Sequence, residues 1–207
     1  MKETRDHILA VSSSLFLQKS FKAVSLKDIV EATQLSKGAF YHYFQSKEQL
    51  FLEVVDSIFS SIIMMDFRRL AHDSLAGFLE DYLSWFGQAY RTLIDKGIIA
   101  PSFGINYYSL LFDAIRFFPD VRDRLLAANA EERTTWLTVI GAARKSGEIA
   151  SPLADAQIAD IFIHINSGIG MNNIMTERSA DTITDLRFLW GGFYMSLSPD
   201  KHPRKSL

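Results

Sequence analysis

Two short helical segments, separated by only about three residues, restrict what the N-terminal part of this chain can fold into. Ser25 precedes the first segment and stands three residues before Asp28, and Ser36 precedes the second. A serine oxygen ahead of a helix accepts a free backbone amide of the first turn, and an acidic residue there favours the positive helix end. Short helices joined by so brief a turn predict a helix-turn-helix.

The rest of the sequence predicts helices almost throughout. Residues 4–19 form a first helix whose apolar side chains share one face, at Ile8, Val11, Leu15 and Phe16. Ser46 opens a long fourth helix, and further helices are predicted at about 73–95, 103–117, 120–146, 155–177 and 181–197. Each of the five prolines sits where a helix would begin or end. The sequence therefore predicts an all-α fold of about nine helices.

The second short helix is rich in side chains that can reach phosphates or base edges. They are Ser36, Lys37, Tyr41, His42 and Tyr43. Gly38 and Ala39 are small enough for the backbone to approach DNA, whereas Phe40 and Phe44 lie four residues apart and should face inward. Because the second helix of such a motif enters the major groove, this segment indicates DNA binding.

The charge distribution agrees with a nucleic-acid-binding N-terminus. Residues 1–52 carry seven Lys or Arg and five Asp or Glu, a net charge of +2. The remaining chain carries 15 and 19, a net charge of −4, so that the total is −2. A weakly basic head on an acidic body suits a protein whose N-terminal part binds nucleic acid.

The N-terminal stretch resembles the DNA-binding region of the tetracycline-repressor (TetR) family. Residues 36–50 read S-K-G-A-F-Y-H-Y-F-Q-S-K-E-Q-L, a string that is highly specific for that family. Upstream matches are Thr4-Arg5, Ile8-Leu9, Leu15-Phe16, Phe21, Ser25-Leu26 and Ile29. The resemblance covers about a quarter of the chain, and the remainder agrees only in length and helical character.

The resemblance implies residue roles and a domain division. Phosphate contacts would come from Ser25, Lys37, Tyr41, Tyr43 and Lys47, and base contacts from Ser36, Ala39 and His42. The tyrosines could instead be packing residues, and Lys37 a solvated charge. We expect a DNA-binding domain at 1–48, a helical effector-binding and dimerisation domain at 49–200, and a polar tail at 201–207.

Two residues depart from the family pattern. Gln34 stands in the turn where family members usually carry glycine, and Val30 stands where a small residue is usual. At positive φ a non-glycine residue costs roughly 1 kcal/mol, so Gln34 predicts a mildly strained turn. Neither change removes a side chain that is expected to contact DNA.

The middle of the chain is aromatic-rich, with eleven aromatic residues between Phe78 and Phe118. This pattern fits a well-filled core or a cavity for a small apolar or aromatic effector. Candidate pocket residues are Phe78, Tyr82, Trp85, Phe103, Asn106, Tyr107, Tyr108 and Phe112.

The last two long helices carry more apolar surface than two terminal helices usually need. We expect a second copy of the chain to cover this surface and form a four-helix bundle. The expected interface residues are Ile158, Phe162, Ile165, Ile169, Leu186, Leu189, Trp190 and Phe193. A twofold dimer would place two recognition helices about 34–36 Å apart, which is one turn of DNA.

The resemblance implies a cytoplasmic repressor that binds a palindromic operator as a dimer and is released by a small molecule. A sensor or activator of the same fold, without repressor action, remains the alternative. We expect no catalytic site, cofactor, metal or membrane segment. The chain has no cysteine, its five histidines are scattered, and Glu131-Glu132 is expected to be a solvated helix face.

Overall fold

The computed structural model describes residues 2–62, 65–70, 72–96 and 106–199. Over these ranges the chain forms nine α-helices and two short 3₁₀ helices without any strand, which confirms the all-α prediction. The α-helices are α1 (Lys2–Gln18), α2 (Leu26–Thr33), α3 (Lys37–Tyr43), α4 (Lys47–Ile62), α5 (Leu75–Asp95), α6 (Asn106–Phe117), α7 (Pro119–Ser146), α8 (Asp155–Met175) and α9 (Thr182–Leu197).

Proline and glycine mark the ends of the later helices, as expected. Pro119 is the first residue of α7, a position where its missing N–H leaves no intrahelical hydrogen bond unmade. Gly147 follows α7 at φ 80°, the left-handed conformation that glycine adopts without a steric penalty. In the described ranges, no helix is both long enough and apolar enough to span a membrane.

The packing divides the chain into two compact units. The first comprises the described residues of Met1–Met65 and Gln88–Leu126, and the second those of Asp66–Gly87 and Ala127–Leu207. The first unit is therefore discontinuous in sequence. The expected division into domains at residue 48 stays a prediction.

Aromatic and aliphatic side chains fill the first unit. Helix α1 packs against α2 and α4, and α6 packs against both α1 and α4. The largest fully buried side chains of this unit are Phe16, Phe40, Phe44 and Phe51. Burial of each such side chain is worth roughly 1.5–3 kcal/mol, so the helices around them are stabilised mainly by packing.

Trp136 of α7 lies at the centre of the second unit's core. Its ring stacks on Phe162 of α8 with centroids 5.0 Å apart, and meets the edges of Phe78 at 4.7 Å and Trp190 at 5.4 Å. The buried Trp190 indole donates its Nε1 hydrogen to the Phe162 carbonyl at 3.1 Å. Helices α8 and α9 pack on each other, and the Trp136 ring of α7 contacts both.

Gln34 adopts the left-handed conformation that its place in the turn predicts. Its φ is 57° and its ψ 26°, and its N–H donates to the Glu31 carbonyl at 3.2 Å. The residue ends α2 and reverses the chain within three residues of Ser36, the cap of α3. The turn therefore forms without glycine, at the conformational cost of an L-residue in this region.

We predict that Gln34→Gly stabilises the protein. Relief of the left-handed backbone conformation outweighs the extra freedom of glycine in the unfolded chain, for a net gain of about 0.5–1 kcal/mol in the free energy of unfolding. Chemical denaturation measures this difference. Ala32→Gly, at an exposed α2 position, is the matched control and should lose up to about 1 kcal/mol. A less stable Gln34→Gly variant would contradict the prediction.

Candidate nucleic-acid interface

A reciprocal hydrogen-bond pair closes the N-terminus of α2. The Asp28 backbone N–H donates to Ser25 Oγ at 3.1 Å, and Asp28 Oδ2 accepts from the Ser25 hydroxyl and the Ser25 N–H, each at 2.7 Å. These two hydrogen bonds from Ser25 hold the pKa of the Asp28 carboxyl below its usual value. Free amides at the start of α2 are thus satisfied, and the helix can begin immediately after the turn.

Helix α3 has a buried side and an exposed side. Ser36 Oγ accepts the Ala39 N–H at 3.1 Å and so caps the helix. Phe40 and Phe44 are 1% and 0% exposed and lie ring to ring at 5.9 Å, which confirms that they face inward. The opposite side presents Lys37, Tyr41 and His42 to solvent. The exposed side of this helix therefore offers a polar, partly aromatic surface that a large ligand such as DNA can contact.

The eight residues expected to contact DNA all lie in the first unit. Five are exposed, namely Ser25, Ser36, Lys37, Tyr41 and His42, whereas Ala39, Tyr43 and Lys47 are partly buried. The Lys37 ammonium lies 6.0 Å from the centre of the Tyr41 ring, and the His42 and Tyr43 rings meet nearly at right angles. Their individual roles at phosphates or bases stay predictions.

Lys47 differs from the other seven because its ammonium is engaged inside the protein. Nζ donates to the Phe21 carbonyl at 2.9 Å and to the Val24 carbonyl at 2.8 Å. It also lies 4.2 Å from the centre of the Phe21 ring. These contacts give the side chain an internal function that its sequence position did not indicate.

The structure assigns the expected pocket residues to different places. Phe78 and Tyr82 are buried in the second unit, and Trp85 in that unit is partly buried. Tyr108 and Phe112 belong to the first unit, where Phe112 is 60% exposed. Phe103 and the side chains of Asn106 and Tyr107 lie outside the described residues. The pocket stays a prediction.

Glu132 was expected on a solvated helix face and is instead half-buried, as part of a hydrogen-bond network. Its Oε1 accepts from the Tyr82 hydroxyl at 3.0 Å and lies 3.4 Å from the Trp136 indole nitrogen. Asn166 Nδ2 in turn donates to the Tyr82 oxygen at 3.1 Å. Burial raises the pKa of Glu132 above its usual value, although both donors oppose the shift. The sequence could not reveal this network, because Glu132 follows the exposed Glu131 and its partner Tyr82 lies 50 residues away.

Four residues of the expected dimer interface are used within the single chain. Ile158, Phe162, Leu186 and Trp190 are 0–1% exposed, because they fill the second unit's own core. Their side chains pack within the single chain, and the dimer interface itself stays a prediction. The sequence analysis assigned all the apolar residues of the last two helices to one partner-facing surface, but some of them face the core of the same chain.

Helices α8 and α9 also expose several large apolar side chains. Of the expected interface residues, Ile169 is buried, Ile165 and Phe193 are half-buried, and Leu189 is 45% exposed. Residues that the sequence analysis did not select are more exposed still, with Phe188 at 77% and Met195 at 71%. Met171 and Met175 are also exposed. We call the exposed residues of this set, Met171, Met175, Phe188, Leu189 and Met195, the α8–α9 patch.

In the part of the chain that the structure describes, no group of three or more His, Asp or Glu side chains is arranged to hold a metal ion. Capped short helices, a tight turn and an exposed second helix define a helix-turn-helix protein built from α-helices.

Comparison with known proteins agrees with this class. Residues 8–54 match the family described as bacterial regulatory proteins, tetR family. The repressor NemR of Escherichia coli K12 is 44% identical over 46 residues, a segment that spans 22% of this chain and 23% of NemR. The repressor KstR2 of Rhodococcus jostii is 24% identical over 171 residues, which covers 77% of this chain and 74% of KstR2.

A solved structure extends the likeness to the whole fold. NalD, the secondary repressor of the MexAB-OprM multidrug efflux pump in Pseudomonas aeruginosa, superposes with a TM-score of 0.62 at 18% sequence identity. The superposition covers 96% of this chain and 98% of NalD. The N-terminal helix-turn-helix, within residues 8–54, is therefore of the tetR type, and the chain as a whole shares the fold of NalD.

We predict that Glu132→Gln changes how stability depends on pH. A carboxyl whose folded pKa is raised stabilises the fold below its unfolded pKa, and this contribution is lost as pH rises through the folded pKa. Glutamine keeps an acceptor for Tyr82 and Trp136 but does not titrate. The variant should therefore gain stability relative to the parent as pH rises from below the ordinary value of 4.5 towards neutrality.

Thermal unfolding at several pH values between about 4 and 7 measures this difference. Glu131→Gln is the matched control, since it makes the same change at an exposed neighbouring position. If the two variants showed the same pH dependence, the burial of Glu132 would have no energetic consequence.

Proposed function

We propose that this protein is a TetR-family repressor that binds a palindromic DNA operator as a homodimer and releases it when a small-molecule effector binds. The observation that carries the proposal is the outer face of α3. Lys37, Tyr41 and His42 are exposed side by side on a capped helix whose inner face is anchored by two buried phenylalanines.

The chemistry of this face suits double-stranded DNA. A lysine and tyrosine hydroxyls bind phosphate oxygens, and a histidine or serine can hydrogen-bond to base edges in the major groove. A helix of seven residues is also short enough to enter the groove with its N-terminal turn first. We assign phosphate contacts to Ser25, Lys37, Tyr41 and Tyr43, and base contacts to Ser36, Ala39 and His42.

A second copy of the chain is the occupant we propose for the α8–α9 patch. TetR-family regulators dimerise, and exposed phenylalanine, leucine and methionine side chains on the two helices suit an interaction surface. A twofold pair also requires a palindromic operator, with half-sites about 34–36 Å apart. Because both half-sites bind together, one effector-driven change in spacing would release the whole dimer.

The regulatory mode is proposed from the relatives. NemR, KstR2 and NalD are all named as repressors. NalD is named as a repressor of a multidrug efflux pump. We propose a small apolar or aromatic effector, with a coupling free energy of about 1–3 kcal/mol between effector and DNA. The protein would act in the cytoplasm, without catalytic activity of its own.

The alternative, an activator or a sensor without repressor action, uses the same fold. A reporter gene placed behind the selected operator separates these functions. Repression predicts that deletion of the regulator raises reporter expression, whereas activation predicts the opposite change. A sensor that does not act on transcription would leave expression unaltered.

Selection of the purified protein against randomised DNA duplexes tests the central claim. We expect an enriched palindrome at near-physiological salt. Lys37→Met should weaken binding to it and reduce the dependence on salt by about one phosphate contact. Lys145→Met, an exposed lysine of the second unit, is the control and should bind as the parent does. A folded protein that enriches no sequence would contradict operator binding.

Analytical ultracentrifugation tests the dimer. Phe188→Glu places a charge on the most exposed member of the α8–α9 patch and should weaken dimerisation at least about 100-fold, because an unpaired charge would be buried. Leu126→Glu makes the same change at a leucine that is 59% exposed in the first unit and should leave the dimer intact. A parent protein that sediments as a monomer at micromolar concentration would contradict the proposal.

A further inference from the structure

The turn between α1 and α2 is held by side chains from two distant helices. The Phe21 N–H donates to Asp113 Oδ2 of α6 at 2.6 Å. The Phe21 carbonyl accepts from Lys47 of α4 at 2.9 Å, and Lys47 reaches the Val24 carbonyl at 2.8 Å. Both polar atoms of one backbone residue are therefore bound by opposite charges. Hydrogen bonds to charged groups are among the stronger ones in proteins.

The Phe21 ring anchors the same turn from its apolar side. It is 8% exposed and lies 4.7 Å from the Phe51 ring of α4, with Phe117 at 5.7 Å and Phe118 at 5.5 Å. Phe16 of α1 completes this group at 6.3 Å. The turn is thus fixed by backbone hydrogen bonds and by ring packing at one residue.

The geometry of Lys47 leaves little of its ammonium for DNA. A lysine ammonium has three N–H donors, and two of them are directed to the Phe21 and Val24 carbonyls. The cation also lies over the Phe21 ring at 4.2 Å, where the negative ring face stabilises it. Lys37, by contrast, is exposed on α3 with a ring contact at 6.0 Å.

We propose that Lys47 and Asp113 are positioning residues that clamp the α1–α2 turn, and that Lys47 holds these backbone carbonyls rather than a DNA phosphate. Val24 is followed directly by Ser25, the cap of α2. The clamp therefore fixes where α2 starts and how the helix-turn-helix sits against α4 and α6. This role differs from the phosphate contact that family resemblance implies for Lys47.

Hydrogen exchange tests the clamp without DNA. In the full-length protein, Asp113→Ala should speed exchange of the Phe21 amide at least tenfold, because its acceptor is removed. Asp113→Asn keeps an acceptor oxygen and should retain most of the protection. Lys47→Met should also speed exchange in peptides covering residues 19–26, and Lys47→Arg should restore protection. Unchanged exchange in Asp113→Ala and Lys47→Met would overturn the clamp.

The salt dependence of DNA binding separates positioning from phosphate contact, and this part rests on the proposed function. The probes are a random-sequence duplex and the selected palindrome. Lys47→Met should weaken palindrome binding roughly tenfold at a temperature well below its melting point, with the parent's salt slope. Lys37→Met should lower the slope by about one.

The two kinds of failure remain distinguishable. A Lys47→Met slope that falls as far as that of Lys37→Met would overturn the positioning role of Lys47. A parent protein that binds neither duplex would contradict the proposed function, while the exchange experiment would still decide the clamp. Should Lys47→Met not fold, Lys47→Gln takes its place, with the same expected slope and the same overturning result.

Discussion

Helices as short as α2 and α3, with eight and seven residues, are not stable in water on their own. The structure of the DNA-binding head therefore depends on the caps and contacts that stabilise them. Nucleation of so short a helix is unfavourable, and isolated helices below about 12–15 residues are marginal. In α2 and α3 the first amides are satisfied by Ser25 and Ser36, and the inner side chains Ile29 and Phe40 are buried. Local caps set where each helix begins, and tertiary packing provides most of its stability.

The difference between local caps and tertiary packing also explains which features could be predicted from the sequence. Caps are decided within four or five residues, so the helix starts after Ser25 and Ser36 were predictable. The left-handed Gln34 was suggested only by the family resemblance, in which glycine is usual at this position. Long helices with a clear apolar period were also located, and α5 to α9 end within two residues of their predicted positions. The TetR resemblance then carried the class of function from a quarter of the chain.

Contacts between distant segments were not predictable. Lys47 and Phe21 are 26 residues apart, Phe21 and Asp113 92 residues apart, and Tyr82 and Glu132 50 residues apart. Periodicity also fails where a helix is apolar on two sides, since it cannot tell a core from a partner surface. For that reason Trp190 was expected at the interface and lies in the core, while Phe188 was overlooked and is exposed.

The discontinuity of the first unit limits how the N-terminal helices could be transferred to another protein. A head cut out at residue 48 would leave Phe21 without the rings of Phe51, Phe117 and Phe118 and without the carboxylate of Asp113. Joining this head to another helical body would therefore require a compatible α6 from the recipient. Substitution on the outer face of α3, where Lys37, Tyr41 and His42 are exposed, leaves these packing partners in place and so changes the surface of the head without that requirement.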